Sequence, residues 1–254
     1  MSDVIKLLTM ISALFFSSPA FLVSDAWAQS KTRLWNLKLG TPVSSLSKEE
    51  FVNPACGMNG GPPSIKLDSF SDFQKCKPEI ETQLREVWFI YDDEWEYIAR
   101  ANRDEHEIAR YSANSFYSHP IITSLLLDKD SLIQGYRMIT DPRAPNDIRI
   151  KAHTLAMYFK NLFSQARWHC LDEPQGEREA AIEGLFVKKT CSYSDNDQLY
   201  RVYESYRLKP GQELDDNKVD LKQVEGQFES TASLEVFRLD AVKDAPCCAV
   251  NAHQ

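Results

Sequence analysis

The chain has little of what marks the common enzyme classes. It contains no G-x-S-x-G, no H-E-x-x-H and no glycine-rich phosphate loop, so the hydrolase elbow, the zinc-protease helix and the nucleotide cradle have no foothold. Histidines stand only at 106, 119, 153, 169 and 253, and none falls in a catalytic frame. No C-x-x-C occurs and no histidine lies at finger spacing, which removes the usual structural zinc sites. Positive charge is also short. The 29 Lys and Arg against 37 Asp and Glu give a net charge of −8, and neither nucleic acid nor an anionic membrane surface is an expected partner of such a chain. Beyond residue 28 no stretch is apolar enough to span a bilayer, so no transmembrane segment is expected in the mature chain.

What is present begins with a leader. Leu7 to Phe16 is largely apolar, Lys6 and the amino terminus supply charge, and Ala26-Trp27-Ala28 offers small residues at −3 and −1. Residues 1–28 therefore read as a signal peptide cleaved near Ala28, and the mature protein as periplasmic or secreted. All six cysteines follow the leader, and in an oxidising compartment disulfides are their default state. Cys56 and Cys76 lie 20 residues apart and Cys170 and Cys191 lie 21 apart. The economical assignment is two local staples, each contributing roughly 3 kcal/mol through the unfolded state. Cys247 and Cys248 are adjacent, can bond each other only through a strained ring, and keep their pairing open.

The clearest helical pattern runs over 146–163. Ile148, Ala152, Leu155, Phe159 and Leu162 form one apolar stripe, with Arg149, His153 and Lys160 opposite. Pro145 and Asn146 give a start signal, and Asp147 adds negative charge to the first turn. Around this helix most of the chain reads as strand. Trp35, Leu37 and Leu39 alternate, and Thr41-Pro42 starts a short helix to about Glu50. Arg85 to Tyr91 is rich in β-branched and aromatic residues. Residues 94–101 alternate as a return strand, with a helix over 94–111 as the competing reading. Ile121 to Leu127 and Leu132 to Thr140 form a hairpin around Asp128 to Ser131. Further strands are expected at 167–171, 182–191, 199–208 and 233–239, with an exposed acidic loop over 213–220.

The expected fold is α+β, with short antiparallel sheets packed by the central amphipathic helix. The mature unit runs from 29 to 242, before a tail over 243–254. Two similar halves, 32–143 and 146–242, are suggested by a shared order of helix, spaced cysteines and strand meander. This order resembles that of small periplasmic modules related to outer-membrane assembly lipoproteins and β-lactamase inhibitory proteins. Gly40-Thr41-Pro42 before a short helix is the local likeness. The resemblance implies a helical pair on a short antiparallel sheet. The lipidation cysteine of the assembly lipoproteins is missing, and no functional residue is carried over.

Candidate sites are few. His119, Asp141 and Arg143 bracket one hairpin whose ends should lie close together, and are the weak catalytic candidates. Asn59-Gly60-Gly61-Pro62-Pro63 must be a turn; anchored by a disulfide, it is a candidate recognition loop. Asp128, Asp130 and the Asp195 to Asp197 run invite calcium. An EF-type loop needs an oxygen ligand and then glycine where Leu132 and Ile133, or Leu199 and Tyr200, stand. Both are therefore read as turns, and no metal or cofactor is expected. Trp88, Trp95, Tyr200, Tyr203 and Tyr206 fill a core or, alternatively, build a ligand face. The composite expectation is an exported, disulfide-containing, non-enzymatic module that binds a protein or envelope component. The alternative is a secreted hydrolase of unrecognised type.

Overall fold

The computed structural model describes residues 32–163, 165–212 and 226–242. The leader, the acidic loop over 213–220, the tail and Cys247 with Cys248 lie outside the described residues.

Most of the expected strand runs form strands, and with two further ones, Phe51–Cys56 and Ser115–Phe116, they join into one sheet. β1 (Phe51–Cys56), β2 (Arg85–Tyr91), β3 (Ser115–Phe116), β4 (His119–Leu127) and β5 (Ile133–Thr140) come from the first stretch of chain. β6 (His169–Asp172), β7 (Val187–Ser194), β8 (Gln198–Leu208) and β9 (Phe228–Arg238) come from the second. Their spatial order is β1-β2-β4-β5-β9-β8-β7-β6, with β3 paired to β4. All these pairings are antiparallel.

Because residues opposite one another share a face, the register dictates the core. Val87, Leu125, Tyr136, Val236, Tyr200 and Tyr193 line up across six strands. Beside them runs Phe89, Thr123, Met138, Leu234, Val202 and Cys191. The segment after Pro145 covers this face with Leu155, Ala156 and Phe159, all fully buried.

The expected helix-centred α+β arrangement is overturned by this sheet. Strand accounts for 37% of the described residues against 23% in short helices, so the protein is mainly antiparallel β. Helix placement differs between the two stretches. Helices α1 (Glu94–Ala101) and α2 (Glu105–Tyr111) enter between β2 and β3 in the first stretch, whereas the second has helices before β6 and after β9. The central helix itself is broken into α3 (Asn146–Arg149), a 3-10 turn (Ala152–Thr154) and α4 (Leu155–Asn161). Ser230 of β9 is the cause. Its hydroxyl accepts from the His153 backbone N–H at 3.1 Å and donates to the Ile150 carbonyl at 2.9 Å. A side chain inserted in this way interrupts the i to i−4 ladder. His153 is thereby drawn inward to pack on Tyr206, ring centroids 4.3 Å apart.

Three local expectations also change. Residues 94–101 form α1, not a return strand, since Glu, Ala and Arg favour a helix and Glu96 pairs with Arg100 one turn on at 2.6 Å. Trp35 lies in a 3-10 turn, Leu34–Asn36, and only Val43–Ser45 of the expected 41–50 helix is helical. Asn146 does not cap α3; its Oδ1 accepts from Arg149. The two staples are formed as expected: Cys56–Cys76 ties β1 to the end of a 3-10 turn, and Cys170–Cys191 joins opposed residues of β6 and β7.

The other face of the sheet carries charge. Arg137 of β5 is 4% exposed and meets three carboxylates, Glu79 at 2.9 Å, Glu86 at 3.2 Å and Glu235 at 2.7 Å. Burial opposes its charge, but these carboxylates hold the guanidinium protonated above its ordinary range.

Two tests follow from this packing. Arg137→Met leaves Glu79 and Glu86 without a cation, while Glu235 keeps Arg201 at 3.4 Å, and should cost about 3–5 kcal/mol in urea unfolding, with partial recovery when Glu86→Leu is added. Burial lowers the pKa of His153, with the Ile150 carbonyl partly offsetting it. A folded value below the unfolded one means stability is full above about pH 6.5 and declines as the pH falls further. The melting temperature should therefore drop from pH 7.5 to 5.5, and His153→Phe should flatten that slope.

Candidate functional site

A trough of about 850 Å3 opens between α1, α2, the β3–β4 turn and the segment around Trp35. Its walls follow from local chemistry. Asp104 caps α2 by accepting from the Glu107 N–H at 3.1 Å. Arg33 closes the other end of that helix, donating to the carbonyls of Ala109 at 3.2 Å, Arg110 at 3.3 Å and Ser112, where the helix dipole favours a cation. The same guanidinium lies 5.8 Å from the Trp35 ring centroid. Asn114 continues the sheet with its side chain, accepting from the Tyr91 N–H and donating to the Tyr91 carbonyl, both at 2.8 Å.

The far wall is a two-residue hairpin. Tyr117 and Ser118 link β3 to β4 with φ of 47° and 65°, the positive values that a type I′ turn needs and that Asn-Gly normally supplies. Neither residue is glycine, so the turn is strained, and such strain often marks a functional position. Its effect is to project Tyr117 beside Tyr158, with centroids 4.2 Å apart. Phe116, the residue before the turn, is clamped between Trp35 at 5.7 Å and Phe159 at 5.1 Å. Tyr117 is 63% and Tyr97 73% exposed. The trough thus presents aromatic rings on a fixed frame.

A second hollow, about 560 Å3 around Pro78, Gln134 and Asp240, is lined by no aromatic ring. Pocket-sized recesses with a few fixed polar groups and aromatic walls are the usual form of a ligand site.

The sequence-derived candidates lie elsewhere. Arg143 grips Asp141, Nη2 to Oδ2 2.7 Å and Nε to Oδ1 2.9 Å, and the Asp141 N–H reaches the Pro120 carbonyl at 2.9 Å. The hairpin ends do meet. No hydrogen bond joins His119 to either side chain among the described residues; burial and Lys151 both lower its pKa, and Arg143 holds Asp141 below the usual carboxylate range against the opposing effect of burial. The Asn59 to Pro63 loop folds onto the charged face. Its Asn59 N–H donates to Glu86 at 2.6 Å, and a Cβ on Gly60 would sit 2.9 Å from Ile139. Met58 and Ile65, which flank the loop, are exposed.

Asp128 takes the N–H groups of Asp130 and Leu132, and Asp195 those of Asp197 and Gln198; both act as turn residues. The five aromatics weighed as a ligand face do not converge. Tyr200 and Tyr206 are buried under the broken helix, Trp88 and Tyr203 lie on the opposite face, and Trp95 is on α1. Trp35, Tyr97 and Tyr117 escaped the sequence reading. The Asp104-x-x-Glu107 cap was the available signal, since a helix over 105–111 forces the preceding residues to fold back.

Comparison with protein-family models, with curated proteins and with solved structures yields no match. Two disulfides, compatible with an exported protein, and the absence of any helix among the described residues long and apolar enough to cross a membrane are what the structure adds on location.

The strain in the hairpin is open to measurement. Ser118→Gly should relieve one left-handed residue and raise stability by about 1 kcal/mol in thermal unfolding.

Proposed function

We propose that this is an exported binding module, cleaved near Ala28, whose ligand site is the trough between α1, α2 and the β3–β4 turn. The observation that carries the reading is the pairing of exposed aromatic rings with a strained, well-anchored frame. Tyr97 and Tyr117 are largely exposed, Tyr117 with one face stacked on Tyr158, while the residues behind them are locked by Arg33, Asn114 and the Trp35–Phe116–Phe159 cluster. An aromatic side chain held in place binds at low entropic cost. Export agrees with the leader and with both staples.

A second reading rests on Met58 and Ile65, 57% and 49% exposed at the base of the disulfide-anchored Asn59 to Pro63 loop. Two apolar side chains on a braced loop form a candidate contact for a protein or envelope component.

One experiment separates them. The oxidised protein is applied to an array of glycans, peptides and organic amines beside Tyr97→Ala and the Met58→Ala, Ile65→Ala pair. The trough reading expects wild-type binding to at least one class, reduced tenfold or more by Tyr97→Ala, on the order of the largest single aromatic contacts. Retention by Tyr97→Ala with loss in the loop variant transfers the site to the loop.

A further inference from the structure

We propose that the trough takes an extended basic peptide segment carrying two cationic side chains four residues apart. The inference rests on the trough being the binding site and specifies what it selects.

Most polar groups in the trough wall are already committed within the protein. The arginines bond to carbonyls or to Glu96, Asn114 spends both ends of its amide on Tyr91, and Ser112 bonds Ser115 at 2.6 Å. Asp93 and Glu105 also line the trough, and neither carboxylate has a hydrogen-bond or ion-pair partner among the described residues. With them stand the exposed rings of Tyr97 and Tyr117. Uncommitted carboxylates beside aromatic faces select cations, by charge and by cation–π attraction. The chain's net charge of −8 acts in the same direction.

Spacing turns charge into shape. Asp93 precedes the first residue of α1, and Glu105 opens α2 after a short return link. The eight residues of α1 set the backbones of the two residues about 12 Å apart, one helix length at 1.5 Å per residue. An extended peptide advances roughly 3.3 Å per residue and shows alternate side chains on one side. Residues i and i+4 therefore match both the distance and the facing, and residue i+2 falls over the tyrosine rings. A compact monocation can reach only one carboxylate.

The test uses the full oxidised protein and acetyl-Lys-Ala-Val-Ala-Lys-amide, followed by calorimetry. The comparison probes are acetyl-Lys-Lys-Val-Ala-Ala-amide, of identical composition and charge, the diglutamate analogue, and spermidine. The spaced peptide should bind about five-fold more tightly than its rearranged twin, as expected for one lost ion pair. Asp93→Asn and Glu105→Gln should each weaken it by a similar factor, and binding should fall as salt rises.

Equal binding of both dilysine peptides, or indifference to the Asp93→Asn, Glu105→Gln double variant, overturns the proposal and leaves only general attraction to an acidic surface. Spermidine binding without the peptide overturns the peptide assignment. A neutral or acidic ligand lost in Tyr97→Ala overturns the basic specificity while the trough survives. If Tyr97→Ala changes no ligand's affinity, the trough itself falls.

Discussion

The pairing of β5 with β9 is the constraint on which the rest of the structure depends. It joins residues about a hundred positions apart, Tyr136 to Val236 and Arg137 to Glu235, and so makes one sheet out of two meanders. On one face this contact completes the apolar row that the broken helix covers. On the other it delivers Glu235 to Arg137, placing an otherwise costly buried cation among carboxylates. Closing so long a loop is entropically expensive, and the extended register, with both faces satisfied, offsets that expense.

The same strand shapes what covers it. Ser230 reaches from β9 into the segment after Pro145 and takes over two backbone groups that a continuous helix would use. The chain then kinks, and α4 sets Tyr158 and Phe159 against the β3–β4 hairpin. The trough is in this sense a product of the core. Phe159 packs under the sheet and stacks on Phe116 at once, so the strained turn that carries Tyr117 rests on the same residue that fills the interior. Strain of this kind persists only where the surroundings determine it more strongly than local preference does.

The charge distribution follows the division between the faces. Arg137 is enclosed and its partners are satisfied, which makes it part of the framework. Asp93 and Glu105 of the trough are exposed at the ends of short helices and have no such partners among the described residues. Charge that the fold neutralises serves structure; charge that it leaves at a rigid aromatic recess is available to a ligand.

By itself the sequence determined most of the strands, β1 and β3 excepted, with their turns and the cysteine spacing. Arg85 to Tyr91, the hairpin around Asp128 and the strand after Asp195 were legible because alternation, β-branching and Asx turns act within a few residues. The spacing of Cys56 with Cys76 and of Cys170 with Cys191 made local staples the natural reading. Only the tertiary structure decided that these strands share one sheet, that the stripe after Pro145 is broken, and that residues 94–101 coil. The shared sheet and the broken stripe each depend on a group from a distant part of the chain, such as Ser230, 77 residues beyond His153, whereas the helix over 94–101 follows from local propensity and the Glu96–Arg100 pair. The trough was hidden for the same reason: Trp35, Tyr97 and Tyr117 have no common period, and only the folding of α1 and α2 against the hairpin brings them to one wall. Local pattern records which face a residue prefers, and long-range packing selects which neighbours that face meets.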